Sequence, residues 1–194
     1  MQQIIQQILA DSIDVKKTAV TQNSSALLQT AELIAARITA GRKILLFGNG
    51  GSAADAQHIA AEFINRFQVE RPPFAALALT TDTSVMTSIG NDYGFDHIFA
   101  KQIRGLGQKD DIAWGISTSG NSPNVVKGLQ VAGEAGLFTL AMTGRGGKAC
   151  DLADKALTVP SDVTARIQET HITMGHILCE LVDRILFPEK FTGH

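Results

Sequence analysis

The sequence predicts an α/β fold, a three-layer αβα sandwich with a central parallel sheet and an N-terminal helical extension. Two observations predict it. From about residue 43 onwards, short apolar runs alternate with segments of helical periodicity, and strands that alternate with helices pair in parallel, with helices on both faces. The two segments richest in glycine and serine each follow an apolar run, as ligand-binding turns do at the carboxyl ends of parallel strands.

The composition limits the class of protein. The 194 residues suffice for one domain with a sizeable core. A net charge of −2, without a long run of either sign, does not predict a nucleic-acid partner. Because we find neither a basic leader followed by an apolar stretch nor a run near the roughly 18 apolar residues of a membrane span, we predict a cytoplasmic protein with no membrane partner. The cysteines, Cys150 and Cys179, lack a metal-type spacing and are predicted to be reduced thiols.

Residues 1–40 are predicted to form two helical segments, the second ended by Gly41. The apolar residues of the first segment recur at helical spacing and are Ile4, Ile5, Ile8, Leu9 and Ile13. A three-layer sandwich does not need these helices. We therefore predict that residues 1–40 mediate oligomerisation and that residues 33–194 carry the ligand-binding domain, within a single structural domain overall.

Strands and helices then follow in alternation. The predicted strands are apolar runs at 43–47, 75–79, 112–116, 138–142 and 157–159. The predicted helices between them span 53–66, 83–90, 95–106, a segment that Ser122 caps and Pro123 opens, and a short segment after the glycine-rich turn at 143–148. Residues 166–187 are predicted to form a long amphipathic helix that Pro188 ends.

Two loops are candidate ligand-binding turns. The first, Gly48-Asn49-Gly50-Gly51-Ser52, follows the first predicted strand, and the second, Ser117-Thr118-Ser119-Gly120-Asn121-Ser122, follows the third. Glycines let the backbone approach a ligand, and the N–H groups at a helix N-terminus favour an anion. The hydroxyl groups add hydrogen-bond donors without adding charge. Together the loops predict a phosphorylated, hydroxyl-rich small molecule as the ligand.

His58 and Glu62 lie four residues apart on the helix after the first loop, so they share a face and can hold one divalent metal. The alternative is an ordinary His–Glu pair on the surface. Because the two residues lie just past a candidate anion-binding loop, where a substrate would lie, we favour a metal-binding pair. The last helix adds three further candidate ligands, Gln168, His171 and His176. For a histidine near an apolar helix face, the alternative is a core residue that is hydrogen-bonded and binds no metal. Gln168 and His176 lie about 12 Å apart along that helix, so one metal reaches both only with stretched side chains or with ligands from two subunits.

The segment Gly90-Asn91-Asp92-Tyr93-Gly94-Phe95 lies between predicted helices and offers an amide and a carboxylate. A turn with an Asx cap explains it equally well. The glycine-rich turn at 143–148 lacks the full phosphate-binding P-loop pattern and is interpreted mainly as a turn. Because no partner base lies nearby in sequence, the serines at 117–122 are interpreted as phosphate donors rather than nucleophiles.

Five motifs in this order resemble the phosphoheptose isomerases of the sugar isomerase (SIS) domain family. They are Gly48-Asn49-Gly50-Gly51-Ser52, His58-x-x-x-Glu62, Gly90-Asn91-Asp92-Tyr93-Gly94-Phe95, Gly115-Ile116-Ser117-Thr118-Ser119-Gly120-Asn121-Ser122, and Arg166-Ile167-Gln168-Glu169 with His176. One glycine motif is weak evidence, but five in the same order are specific. The resemblance extends from about residue 33 to residue 187 and implies that the αβα sandwich is of the flavodoxin-like type.

The resemblance implies an enzyme that interconverts D-sedoheptulose 7-phosphate and D-glycero-D-manno-heptose 7-phosphate, the first step toward the heptose of the lipopolysaccharide core. It also implies a homotetramer with active sites at subunit interfaces and one zinc ion in each. Glu62 and His176 would be the acid–base pair for isomerisation through an enediol(ate). The metal ligands would be His58, Glu62, Gln168 and His176. The residues contacting the sugar phosphate would be Asn49, Gly50, Gly51, Ser52, Glu62, Asn91, Asp92, Ser117, Thr118, Ser119, Ser122 and Gln168.

Two alternatives share the fold, which alone does not separate them. One is the SIS-fold adaptor that binds the replication initiator DnaA, and the other is an isomerase of another ketose phosphate. His58 with Glu62 favours an enzyme, because an adaptor does not need a metal pair beside its anion loop. One position departs from the pattern, since Ala165 stands where some family members have an aspartate. We expect a branch without this carboxylate, because the other polar positions are intact.

Overall fold

A five-stranded parallel sheet lies at the centre of the computed structural model, which describes residues 1–191. Its strands are β1 (Ile44–Gly48), β2 (Ala76–Ala78), β3 (Ile112–Ser117), β4 (Phe138–Thr143) and β5 (Lys155–Thr158). They are arranged in the order β2-β1-β3-β4-β5, and every neighbouring pair is parallel. This is the flavodoxin-like order, in which the topology switches direction between β1 and β3.

Seven α-helices surround the sheet in the described residues. They are α1 (Gln2–Thr39), α2 (Gly51–Ile64), α3 (Thr83–Tyr93), α4 (Ile98–Leu106), α5 (Pro123–Glu134), α6 (Lys148–Leu152) and α7 (Thr164–Leu186). One hydrophobic cluster joins α1, α2 and α7 to one face of the sheet. A second cluster joins α4, α5 and α6 to the other face. The predicted αβα sandwich with a parallel sheet is therefore confirmed.

The alternation of side chains along β1 explains how both layers attach. Ile44 and Leu46 belong to the cluster with α1, α2 and α7, whereas Leu45 and Phe47 belong to the opposite cluster. All four side chains are fully buried. Successive residues of a strand point to opposite faces, so an unbroken apolar run is what a strand covered on both sides requires.

The prediction of two N-terminal helices is wrong, because α1 is one continuous helix of 38 residues. The polar stretch between the two apolar segments contains no glycine or proline that would end a helix. This polar stretch stays helical and packs against β5. The buried Asn23 side chain donates to the Thr158 carbonyl oxygen at 2.9 Å and accepts from the Thr158 N–H at 3.2 Å. A side-chain bridge to β5 therefore replaces the expected turn.

Other boundaries also differ from the predictions. Residues 90–93 form the last turn of α3 rather than a turn between helices, because Asp82 caps the helix start and the chain stays helical until Gly94. Ser122 lies at the N-cap position of α5, but its hydroxyl pairs with that of Ser117 and does not cap the helix. The last strand spans residues 155–158 instead of 157–159. None of the described helices is both long enough and apolar enough to cross a membrane.

His171 is one of the histidines considered as a ligand, and it lies in the core, fully buried between α7 and β4. Its Nε2–H donates to the carbonyl oxygen of Thr143 at 3.0 Å. Its Nδ1 has no hydrogen-bond partner among the described residues. Burial, opposed by the bond to Thr143, lowers the pKa of His171 from 6.5 to about 4. The imidazole is therefore a neutral core group at neutral pH.

We expect His171 to lower the free energy of unfolding as the pH falls from 6.5 toward 4. Above that range the imidazole is neutral in both states, whereas within it only the unfolded chain takes up the proton, which favours unfolding. At about 1.4 kcal/mol per pKa unit the loss amounts to about 3 kcal/mol. Denaturant titrations at neutral and acidic pH should therefore show a smaller acid loss for His171→Gln than for the parent. The control is His97→Gln, which replaces a half-buried histidine and should lose as much stability in acid as the parent. An equal acid loss in the parent and in His171→Gln would contradict the prediction.

Candidate active site and metal centre

The site lies at the carboxyl edge of the sheet, where β1 and β3 run side by side with Gly48 paired to Ile116. After β1 the chain enters α2 on one face, and after β3 it enters α5 on the other face. Two neighbouring loops that diverge in this way leave a crevice between them, which is where open α/β sheets bind their ligands. The two candidate loops predicted from the sequence form its walls.

The first loop is shaped for close approach to a ligand. Gly50 has φ +55°, a left-handed conformation that glycine adopts without strain, and α2 starts at the next residue. Asn49 is held from across the crevice by buried Asn124 at the start of α5. Each of these two amides donates to the other, at 2.8 and 2.9 Å. The N–H groups of Ser52 and Ala53 donate to the carbonyl oxygens of Asn49 and Gly50, both at 3.0 Å. The loop therefore presents the N-terminus of α2, with its positive end of the helix dipole, in a fixed position.

The second loop concentrates hydroxyl groups. Ser117 Oγ lies 3.0 Å from Ser122 Oγ and 3.4 Å from Ser119 Oγ. The turn depends on Gly120, where a Cβ would overlap the carbonyl oxygen of Gly146 in the glycine-rich turn after β4. The hydroxyls lie at the start of α5, so they combine neutral donors with a helix N-terminus, which suits an anionic group.

Two imidazoles and a carboxylate converge where α2 packs against α7. His58 Nε2 lies 2.9 Å from His176 Nε2 and 3.3 Å from Glu62 Oε1. One ligand atom from each of the three residues lies within 4.8 Å of the other two. Ligand nitrogens around a tetrahedral zinc are about 3.4 Å apart, so small side-chain adjustments would give a two-histidine, one-carboxylate zinc site. Three of the four predicted ligands thus fit a metal.

The electrostatics of this cluster are those of a partly buried site. Burial and the neighbouring His58 lower the pKa of His176, while Glu62 opposes the shift. One turn before His58 on α2, burial raises the pKa of Asp55 to about 6 against the lowering effect of His58. Asp55 Oδ2 is buried without a hydrogen-bond partner in the described chain. A cation among these groups would therefore be favourable.

Gln168, the fourth predicted ligand, lies at the other end of the α2–α7 contact. Its amide packs directly on Gly51, where a Cβ would overlap Gln168 Nε2. Gly51 precedes His58 by seven residues, about 10 Å along α2. The structure therefore places Gln168 beside the first loop, within reach of a ligand there, and about two helical turns from the imidazoles. Its role as a metal ligand stays a prediction.

The remaining predicted residues lie apart. Asn91 and Asp92 are exposed on the last turn of α3, and Asn91 Nδ2 donates to Asp92 Oδ1 at 2.9 Å. Among the described residues, neither side chain bonds to the two loops or to the histidine cluster. Ala165 is exposed in the first turn of α7. Sequence reasoning gave no role to Asn124 or Asp55, because their local sequence does not differ from that of other polar helix residues.

Comparison with known proteins agrees with the fold. The SIS domain family profile matches residues 8–144, which is more than half of the chain. The phosphoheptose isomerase of Solidesulfovibrio magneticus is 56% identical over 167 residues, covering 86% of this chain and 82% of that protein.

Two solved structures are also similar. The phosphoheptose isomerase from Neisseria gonorrhoeae has a TM-score of 0.88 and 47% identity, covering 94% of this chain and 98% of that one. The phosphoheptose isomerase from Francisella tularensis has a TM-score of 0.90 and 38% identity over the same shares. The chain therefore belongs to the SIS domain family, in its phosphoheptose isomerase branch.

Proposed function

We propose that this phosphosugar isomerase converts D-sedoheptulose 7-phosphate to D-glycero-D-manno-heptose 7-phosphate, in the synthesis of lipopolysaccharide-core heptose. The observation that carries the proposal is the convergence of His58, Glu62 and His176 beside the helix that begins at the first loop. The names of the relatives support a seven-carbon sugar phosphate as the substrate. The geometry favours an enzyme over the DnaA-binding adaptor, which has no need of converging metal ligands.

The phosphate end of the substrate is assigned to the hydroxyl loop. Ser117, Ser119 and Ser122 gather their hydroxyls at the start of α5, and Thr118 lies between them. The first loop, with Asn49, Gly50, Gly51 and Ser52, and the Gln168 amide that packs on it would contact the sugar hydroxyls. Neutral donors and helix N-termini bind an anion without a lysine or arginine in the loop itself.

The residues around the α2–α7 contact suit a zinc ion, with His58, Glu62 and His176 as ligands and Gln168 as the predicted fourth. When bound, zinc would stabilise negative charge that develops on the sugar oxygens. The metal would then lie at the α2–α7 contact and the phosphate at the hydroxyl loop, with the first loop and Gln168 between them. In this proposal a sugar phosphate extends from the hydroxyl loop to the cluster and presents its carbonyl end to the acid–base residues.

Glu62 and His176 are the proposed acid–base pair. Isomerisation moves a proton between C1 and C2 of the sugar, and it needs a base at carbon and proton delivery at oxygen. In this proposal Glu62 takes the carbon-bound proton, giving an enediol(ate), and returns it to the neighbouring carbon. His176, whose pKa is lowered by burial and by His58, is neutral at neutral pH and can exchange a proton with the sugar oxygens.

We also propose a homotetramer in which subunits complete one another's sites. The first turns of α1 carry an exposed apolar stripe: Ile4, Ile5, Ile8, Leu9 and Ile13 are each about half exposed in the single chain. Asn91 and Asp92 are exposed on α3. We propose that their side chains reach the site of a neighbouring subunit. Covering the stripe with copies of itself would remove the largest group of exposed apolar side chains on α1.

The substrate assignment is tested with a panel of ketose phosphates of five, six and seven carbons, each followed by NMR to identify the aldose formed. We expect sedoheptulose 7-phosphate to have a kcat/KM at least tenfold above that of fructose 6-phosphate. Equal or better turnover of the hexulose would favour an isomerase of another sugar. No turnover of any member by zinc-loaded tetramer would favour the adaptor.

A further inference from the structure

Arg71 is a buried cation in the segment between α2 and β2, with 1% of its side chain exposed. Its guanidinium is fully engaged with main-chain carbonyls and one carboxylate. Nη2 donates to the Glu62 carbonyl oxygen, Nη1 to that of Phe63 and Nε to Asp183 Oδ1, each at 2.8 Å. The guanidinium also lies 4.0 Å from the ring centroid of Phe74.

Two of these contacts fix the end of α2. Helix α2 ends at Ile64, so the carbonyls of Glu62 and Phe63 belong to its last turn, where carbonyls lack partners within the helix. A cation at a helix C-terminus is also favoured by the helix dipole. Arg71 therefore holds the backbone of the residue whose carboxylate belongs to the metal cluster.

The third contact reaches α7. Asp183 follows His176 by seven residues, about two turns, so both side chains lie on the same side of α7. Asp183 is 1% exposed and faces Arg71. Because a guanidinium is a rigid planar fork, its bonds to Glu62, Phe63 and Asp183 fix the separation of α2 and α7 next to the cluster, which a flexible lysine cannot do.

We propose that Arg71, with Asp183, is a positioning residue that sets the distance between the Glu62 carboxylate on α2 and the His176 imidazole on α7. This inference rests on the metal site of the proposed function. Its consequence is that loss of the guanidinium lowers metal affinity although Arg71 touches no metal ligand atom. Such supporting contacts commonly change metal affinity about ten- to hundredfold.

The test measures zinc affinity by chelator competition, together with the absorption spectrum of Co²⁺ in the same site. We expect Arg71→Lys to weaken zinc at least tenfold and to shift the Co²⁺ bands, while circular dichroism and molecular mass stay those of the parent. Asp183→Asn keeps the volume of the side chain and removes its charge, so it should also weaken zinc binding and shift the Co²⁺ bands. This second variant tests the proposal if Arg71→Lys does not fold.

The matched control is Asp111→Asn. Asp111 is equally buried, pairs with Lys43 Nζ at 2.5 Å and lies at the amino ends of β1 and β3, away from the cluster. We expect it to lower stability with zinc affinity unchanged. Zinc affinity within threefold of the parent in a folded Arg71 or Asp183 variant, or equal weakening by Asp111→Asn, would overturn the proposal. Failure of the parent protein to bind zinc would instead contradict the metal site on which it rests.

Discussion

Glu62→Gln is expected to lower kcat/KM for sedoheptulose 7-phosphate by about a thousandfold. The substitution keeps the size of the side chain and one oxygen atom, but an amide does not accept a proton from carbon, and general-base contributions are typically 10²–10⁴-fold. Glu62 also faces His58 at 3.3 Å, so the loss of its charge weakens the metal cluster. Steady-state kinetics with product detection by NMR measures the effect.

Zinc content separates the two roles of Glu62. If a zinc-loaded Glu62→Gln protein is inactive, the carboxylate acts as a base, and if activity returns with excess zinc, it acts as a ligand. Glu180→Gln is the control, because Glu180 is a partly exposed carboxylate on α7 that pairs with Arg184 at 2.7 Å. It should retain parental activity. Normal turnover by Glu62→Gln would contradict the assignment of Glu62 as the base.

Charged residues in the apolar stripe of α1 should dissociate the assembly. Ile5 and Leu9 are 62% and 53% exposed in the single chain, and Ile5→Glu with Leu9→Glu would place carboxylates in an interface built from these side chains. Burying an unpaired charge costs far more than such an interface gains from two apolar side chains. We expect the mass by light scattering to fall from four chains to one or two, with most of the activity lost.

The control places the same charges on the opposite side of the same turns. Gln3→Glu with Gln7→Glu adds two carboxylates at exposed polar positions. The mass and the activity of this variant should equal those of the parent. A parent protein that is a monomer, or a stripe variant that stays a tetramer, would contradict the proposed role of α1.

The sheet was predictable because strands covered on both faces leave unbroken apolar runs, as in Ile44–Gly48. The layers followed from the alternation of these runs with helices. The order of the strands did not follow from this alternation and was expected only from the family resemblance, since pairing of β1 with β3 joins residues that are distant in sequence. The continuity of α1 was missed because its polar middle is stabilised by the Asn23 bridge to β5, a tertiary contact without a local signal.

The candidate site was predictable to the extent that it is local. The four-residue spacing of His58 and Glu62 predicted a shared helix face, and the structure has both side chains in one cluster. The meeting of His58 with His176 spans 118 positions and depends on how α2 packs against α7. Helical spacing within α7 gave only the separation of Gln168 from His176, and in the structure Gln168 lies at the first loop instead.

The supporting contacts were not predictable at all. Arg71 and Asp183 are 112 positions apart, and the segment around Arg71 resembles an ordinary loop. The amide pair of Asn49 and Asn124 spans 75 positions. Buried polar pairs of this kind are specified by the packed fold, so they become visible only when helices and loops are in place.

The central claim is a metal-supported aldose–ketose isomerisation, and the most direct measurement is turnover of sedoheptulose 7-phosphate before chelation, after chelation and after zinc is restored. NMR identifies the product in each state. We predict that aldoheptose 7-phosphate forms, that its formation stops on chelation, and that it resumes with zinc. Undiminished turnover by metal-free protein would contradict the role of the metal, and the absence of turnover in every state, by a folded tetramer, would contradict the isomerase itself.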